Sequence, residues 1–326
     1  MIRLNFRNTI ASLATLSCLV TAGSALATDA YPSRPVTIVV PYPPGGTADN
    51  LARVLAKGMS DRLGAGIVIS NKGGAGTVIG TQSVARSDPD GYTLLWTATP
   101  LAINPTLVED LPYDTLRDFT VVSDIAETGL VVVVNASSPI KTLDGLVNEL
   151  KTSEESTYAS AGAGSSPHLV SELLLHETGG KAVHVPYRGS AAAVTDLVAN
   201  RTTFMFDTPL LMTPLIKDGK LRPLAQTSAE RSALLPDVPT MTESGHPGLN
   251  ATSWFVIAAP SGTPKDVLEK LNKAINDALA DPAIIEVYAA QGMAITGGSV
   301  EKAQAKLERE IKTWALAVKV SGAKAQ

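Results

Sequence analysis

From residue 36 onward, short β-branched runs alternate with segments of helical periodicity. Val36–Val40 ends at Pro41 and predicts a buried strand. Leu51, Val54, Leu55, Met59 and Leu63 then recur at helical spacing and predict a helix over Ala48–Leu63. The cycle continues with a strand at Ile67–Ser70, a helix at Thr77–Arg86 and a strand at Thr93–Thr97. Two apolar runs, Val121–Ile125 and Leu130–Val134, precede a helix at Leu143–Lys151. A second series follows, with strands at Tyr158–Ser160, Ala182–Val185, Phe204–Phe206 and Leu221–Gln226, and helices His168–Glu177, Ala191–Ala199 and Leu210–Lys217 between them. Ser253–Ala259 is a last strand; Lys265–Leu279, Ala283–Gln291 and Val300–Val318 are helical. Short βα units demand mostly parallel sheets covered by helices on both faces. Two series of them, in a chain of 326 residues, fit two α/β domains better than one large sheet.

The segment before this alternation has a different logic. Arg3 and Arg7 open it, an apolar stretch runs from Ile10 to Ala22, and Ala25-Leu26-Ala27 follows. This is the layout of a secretory signal, with cleavage expected after Ala27. The apolar run is shorter than the ~20 residues a membrane-spanning helix needs. Cys18 does not read as a lipid-modified cysteine, because Thr15 stands where a Leu is required and Cys18 lies deep in the apolar run. Removal of residues 1–27 leaves 299 residues with 25 basic against 31 acidic side chains and no cysteine. The expected mature protein is periplasmic, soluble and slightly acidic. That balance argues against nucleic acid as a partner, which calls for a basic face.

Four Gly- or Ser-rich loops fall where a predicted strand ends and a helix begins. The first, at residues 42–47, offers Tyr42, Gly45, Gly46 and Thr47, with Asp49 just inside the helix. The second offers Gly74, Ala75, Gly76 and Thr77, and the strand at Thr93–Thr97 delivers Ala98 beside them. The third, at residues 160–166, offers Ser160, Ala161, Gly164 and Ser165; the fourth contributes Gly189. Asp207 ends the Phe204–Phe206 strand and either accepts a hydrogen bond from a ligand or caps the helix after it. In open α/β sheets ligands bind beyond the carboxyl ends of the strands. Helix N-termini there present unpaired N–H groups and about half a positive charge, and glycine lets an anion come close. A small carboxylate or phosphate is the natural guest.

No cofactor is expected. No loop ends in Gly-Lys-Ser/Thr, and none follows the Gly-x-Gly-x-x-Gly dinucleotide pattern. Gly-x-Ser-x-Gly is absent, and His168, His176, His184 and His246 form no metal-binding pair, so neither hydrolase chemistry nor a metal site is expected. His168 suits a cap or packing role better than that of a catalytic base.

Taken in order, these segments resemble the substrate-binding proteins of tripartite tricarboxylate transporters, the Bug family, over residues 30–320. Pro43-Pro44-Gly45-Gly46 with Asp49 and Arg53 matches the first loop, and Asn71 with Gly74-Ala75-Gly76 and Ile79-Gly80 the second. Asp90-Gly91-Tyr92-Thr93-Leu94, Leu111-Pro112-Tyr113-Asp114 and Asp118-Phe119 follow. Gly164-Ser165, His168-Leu169, Val185-Pro186-Tyr187-Arg188-Gly189, Asp196-Leu197 and Phe206-Asp207 complete the set. Three positions depart from the pattern: Ala48 stands where a hydroxyl residue is usual, and Lys72-Gly73 replaces Arg-Pro.

The resemblance implies a two-lobed, periplasmic-binding-protein-like (flytrap) α/β fold, each lobe a mostly parallel sheet flanked by helices. It implies a first lobe of residues 28–131 and 254–326 and a second of residues 132–253. The chain would cross between them near Val131–Val134 and Ser253–Val256. It further implies that the cleft captures a small mono- or dicarboxylate. One carboxylate would be held at Gly46, Thr47, Gly76 and Thr77, partly through waters, with second-lobe contacts from Ser160, Gly164, Ser165 and Asp207. The implied partners are that ligand and the membrane subunits of a tripartite tricarboxylate-type transporter, with the receptor a monomer. An exported enzyme acting on a carboxylate, or a receptor used for signalling, are the alternatives.

Overall fold

The computed structural model describes residues 31–324; the expected signal segment and its cleavage point lie outside them. The chain opens with β1 (Val36–Val40), α1 (Thr47–Leu63) and β2 (Ile67–Asn71). A single 3-10 turn at Ala75–Thr77 then leads into α2 (Val78–Ala85), followed by β3 (Thr93–Ala98), α3 (Pro100–Leu107) and α4 (Thr115–Asp118). β4 (Phe119–Gly129) and β5 (Val131–Asn135) are separated by Leu130 alone. Next come α5 (Leu143–Thr152), β6 (Thr157–Ser160), α6 (Ser166–Thr178), β7 (Val183–Pro186) and α7 (Ser190–Val198). β8 (Phe204–Asp207), α8 (Pro209–Lys217), β9 (Leu221–Gln226) and β10 (Thr252–Pro260) follow. The C-terminal part holds α9 (Lys265–Leu279), α10 (Pro282–Ala290), β11 (Ala294–Ile295) and α11 (Val300–Ser321).

The strands form two sheets, ordered β11-β4-β10-β3-β1-β2 and β7-β6-β8-β5-β9. Both are mixed in their pairing, which corrects the expectation of mostly parallel sheets. β1 pairs in parallel with β2 and β3, and β6 with β7 and β8. β10 is inserted antiparallel between β3 and β4, and β5 antiparallel between β8 and β9. The reason is directional. A strand within a βα unit runs toward the edge where its loop meets the other sheet. A strand that arrives from the other sheet enters at that edge and must run away from it.

Register fixes where the two sheets meet. Thr252 pairs with Gly129 in the first sheet, and Val131 pairs with both Asp207 and Gln226 in the second. The carboxyl ends of β1–β4 and of β6, β8 and β9 therefore face one junction, at Leu130. Thr227 stitches it: its N–H donates to the Leu130 carbonyl, and its buried hydroxyl accepts from the Leu130 N–H and donates to the Ala251 carbonyl. The chain returns from the second sheet to the first through residues 227–251, rather than at a single point.

Three apolar clusters cover the sheet faces. One face of the first sheet packs α1, α9 and α10 through Leu51, Leu55, Leu271 and Tyr288. One face of the second packs α7 and α8 through Val194, Leu197 and Met212. The remaining faces share one continuous core with α3, α6 and α11, running from Leu95 and Trp254 through Trp314 to Tyr158 and Phe204. α3 carries no periodic signal of its own and contains Pro105, yet it lies in that shared core.

Candidate ligand-binding cleft

The first two loops are bound into one unit. Asp49, at the third position of α1, is buried, and each of its oxygens is engaged. Oδ2 accepts from the Gly45 N–H at 2.9 Å and from Arg53 Nε at 3.0 Å. Oδ1 accepts from Asn71 Nδ2 at 2.9 Å. Asn71 Nδ2 also donates to the Tyr42 carbonyl, and Arg53 donates to Asn71 Oδ1. Arg53 above all, with the Gly45 and Asn71 hydrogen bonds, lowers the Asp49 pKa to about 2. The sequence puts Asp49 among the ligand contacts; its carboxylate is turned inward, and it serves the site by tying the loops together. Tyr42 likewise buries its hydroxyl, beside Thr97 and Ala98, rather than presenting it to the cleft.

One glycine lets the loops approach. A Cβ on Gly80 would lie 2.5 Å from the Lys72 carbonyl oxygen and 2.7 Å from Pro41 Cβ, so only glycine allows α2 to sit against the ends of β1 and β2. The second loop itself is contorted. Gly74, Ala75, Gly76 and Thr77 have φ of 125°, 46°, 59° and 82°. A β-branched residue in the left-handed region costs of order 1–3 kcal/mol and persists only where its surroundings hold it. Asn104 of α3 is buried and supplies that hold, donating from Nδ2 to the Gly76 carbonyl at 3.1 Å and to Thr77 Oγ1 at 3.4 Å.

The second-lobe loops are joined in a similar way. Tyr187 N–H donates to the Ser160 carbonyl, and Gly189 N–H to the Ala161 carbonyl. Ser160 is fully buried, and its hydroxyl is occupied by Gly162 and by His184 Nε2 at 2.6 Å. Ser165 Oγ donates to the Gly162 carbonyl. Gly164 N–H donates to His168 Nδ1 at 3.0 Å, so His168 packs the loop from beneath. Burial, with His184 second, lowers the His168 pKa to about 4; burial also lowers that of His184. Asp207 is buried, which raises its pKa. It accepts from Ser190 Oγ at the start of α7 and from the Thr208 N–H at the start of α8. Its carboxylate thus takes a hydroxyl at the first position of α7 and one backbone N–H at the N-cap of α8.

What remains free for an anion follows from the caps. Helices α5, α10 and α11 are capped by the side chains of Thr142, Asp281 and Ser299. The N-caps of α1, α2 and α6, which are Gly46, Thr77 and Ser165, make no side-chain capping bond. These three helices begin at the strand ends that face the junction. A Cβ added at Gly45 or Gly76 would meet nothing within 4 Å, so both glycines border open space. Across that space the lobes touch: a Cβ on Gly164 would lie 2.9 Å from Leu107 of α3. The structure therefore gathers Gly45, Gly46, Thr47, Gly74, Ala75, Gly76, Thr77 and Ala98 on one side. Ser160, Ala161, Gly164, Ser165, Gly189 and Asp207 lie on the other. Sequence reasoning missed Asn104 and Leu107 because α3 carried no signal. It quoted Arg53 and Asn71 without seeing that they fix Asp49. Among the described residues no group of His, Cys, Asp and Glu could hold a metal.

Comparison with known proteins agrees with this geometry. The model of the TctC family, tripartite tricarboxylate transporter family receptor, matches residues 51–321. Protein BugT of Bordetella pertussis is 39% identical over 311 residues, covering 94% of this chain and 95% of BugT. The solved structure of an R. palustris protein with adipate is 33% identical, with a TM-score of 0.73, covering 90% of this chain and 99% of that one. The structure of MatC from Rhodopseudomonas palustris with bound malate is 29% identical, with a TM-score of 0.69, covering 88% and 100%. The chain belongs to the tripartite tricarboxylate transporter receptor family: it is a two-lobed solute-binding receptor of the Bug type, not an enzyme.

Proposed function

We propose that this receptor captures a small organic carboxylate, mono- or dicarboxylate, in the cleft between its lobes. The observation that carries the reading is a convergence: α1, α2 and α6, whose N-caps make no side-chain bond, all begin at one junction, beside Gly45 and Gly76, which border open space. Unpaired N–H groups and the helix dipole stabilise an anion without a cationic side chain. The relatives solved with adipate and malate support the same ligand class. Gly46, Thr47, Gly76 and Thr77 would hold one carboxylate, with Gly164 and Ser165 closing from the second lobe. Residues 28–131 and 254–326 would move as one lobe and residues 132–253 as the other, with Leu130 and the return segment as hinges. Export follows cleavage after Ala27, and the monomeric closed form docks on the membrane subunits of a tripartite tricarboxylate-type transporter.

Titration calorimetry against a panel of mono- and dicarboxylates tests the reading, with one-to-one binding and no turnover as the expected result. Gly46 has φ of −80°, and a Cβ there would meet only the Pro43 carbonyl oxygen, at 4.0 Å, so valine fits its backbone. Gly46→Val should weaken binding at least tenfold and leave the melting temperature of the ligand-free protein within about 2 °C, since it buries and breaks nothing. Unchanged affinity in that variant would place the anion elsewhere.

A further inference from the structure

We propose that Asn104 is a positioning residue for ligand capture, acting through the second loop rather than by touching the ligand; this rests on the carboxylate-cleft reading above. The peptide joining Gly76 to Thr77 is fixed at both ends. Its carbonyl accepts from Asn104 Nδ2 at 3.1 Å, and its N–H donates to the Gly74 carbonyl at 3.1 Å. That peptide is the last before α2, so its orientation sets the direction of the helix N-terminus toward the cleft. Left alone, it would relax. Ala75 and Thr77 both have φ in the region that L-residues avoid, and Thr77 is β-branched. Asn104 is buried, and its second contact, to Thr77 Oγ1, is to the residue least suited to its backbone.

The placement of Asn104 suits the role. It sits on α3, between β3, whose end borders the cleft, and Leu107, which meets Gly164 of the opposite lobe. One short helix thus carries both the residue that sets the first-lobe loop and the residue against which the second-lobe loop closes. A shift of α3 would be felt on both sides of the cleft. A carboxamide is the group the position calls for: it donates to a carbonyl and to a hydroxyl oxygen without bringing charge beside an anion.

The test uses the mature chain and two substitutions. Asn104→Leu keeps the volume and removes the donor; Asn104→Asp keeps the shape, should the first fail to fold. The first readout is ligand-free: the amide and 13Cα shifts of Ala75, Gly76 and Thr77 by NMR. In both variants at pH 7 these shifts should leave their wild-type values. In Asn104→Asp they should return as acidification protonates the carboxyl and restores a donor, a reversal that a purely structural loss would not show. The second readout is calorimetric affinity for adipate and malate, expected to fall at least tenfold. Wild-type shifts in Asn104→Asp at pH 7 would overturn the proposal whether or not either acid binds. Loss of binding in Gly46→Val with affinity within twofold in both Asn104 variants would overturn this proposal alone. Full affinity in Gly46→Val as well would overturn the cleft reading and this proposal with it.

Discussion

A buried carboxylate next to a loop proposed to receive a carboxylate would repel that ligand unless its charge were spent internally. Asp49 spends it on Gly45, Arg53 and Asn71. The sign of its pH dependence follows. The folded pKa is lowered to about 2, so the stabilisation is complete above the ordinary aspartate range near ~4 and is lost as pH falls from there toward about 2. Asp49→Ala leaves the Gly45 N–H without its acceptor and Asn71 Nδ2 with the Tyr42 carbonyl alone. It should cost about 2 kcal/mol, visible as a melting temperature lower by several degrees in calorimetry of the ligand-free protein. A melt unchanged within one degree would contradict the internal role. The same residue marks the limit of what the sequence makes legible. Spacing shows that Asp49 shares a loop with Gly45 and Gly46; it does not show which way the carboxylate turns. That depends on Arg53 one helical turn later and on Asn71, which lies 22 positions away in the chain.

At the scale of elements, the strand and helix pattern was legible wherever a segment buries one face, because burial is what writes periodicity into a sequence. The helices α1, α5 and α9 and the strands β1, β3 and β5 fall where the pattern puts them. Strand direction was not legible, since a buried strand is apolar whichever way it runs; β5 and β10 are therefore the source of the mixed pairing. α3 escaped because it is embedded in the shared core and has no clean polar face. The joint behaviour of β6, α6 and β7 is likewise a product of packing. Tyr158, His168 and His184 stack, with the two imidazoles 4.0 Å apart, beneath the 160–166 loop. Glu172 accepts from the Tyr158 hydroxyl and lies 4.0 Å from His168 Nε2. Burial holds His168 near a pKa of about 4, whereas an unfolded histidine titrates near ~6.5. The unfolded chain takes up protons first, so stability falls as pH drops from about 6.5 toward 4. Urea midpoints should decline over that window, and His168→Phe should flatten the decline. An equal slope in the variant would exclude His168 as its source.

At the scale of the whole molecule, the two sheet orders place their loops in sequence outward from the hinge. In the first sheet the order is β3, β1, β2; in the second it is β8, β6, β7. The outermost loops, after β2 and β7, lie at the strand ends directed to the junction, and they carry Lys72 and Arg188. Both are exposed. Their neighbours Arg53 and Arg201 are paired with Asp49 and Asp196, but Lys72 and Arg188 make no ion pair among the described residues. The chain carries 27 basic against 31 acidic residues, so an anion meets net repulsion at long range. Two exposed, unpaired cations on these loops create a local field of the opposite sign, which acts on the encounter rather than on the bound state. Association of a dicarboxylate should slow as salt is raised. In the double variant Lys72→Gln, Arg188→Gln, kon at low salt should drop roughly three- to tenfold while koff stays within twofold. The difference between the two proteins should vanish at 1 M salt, where the screening length is about 3 Å. Stopped-flow binding at several ionic strengths decides it. A change confined to koff would mean that these side chains hold the bound ligand, and a salt-independent kon would mean that they do not steer it.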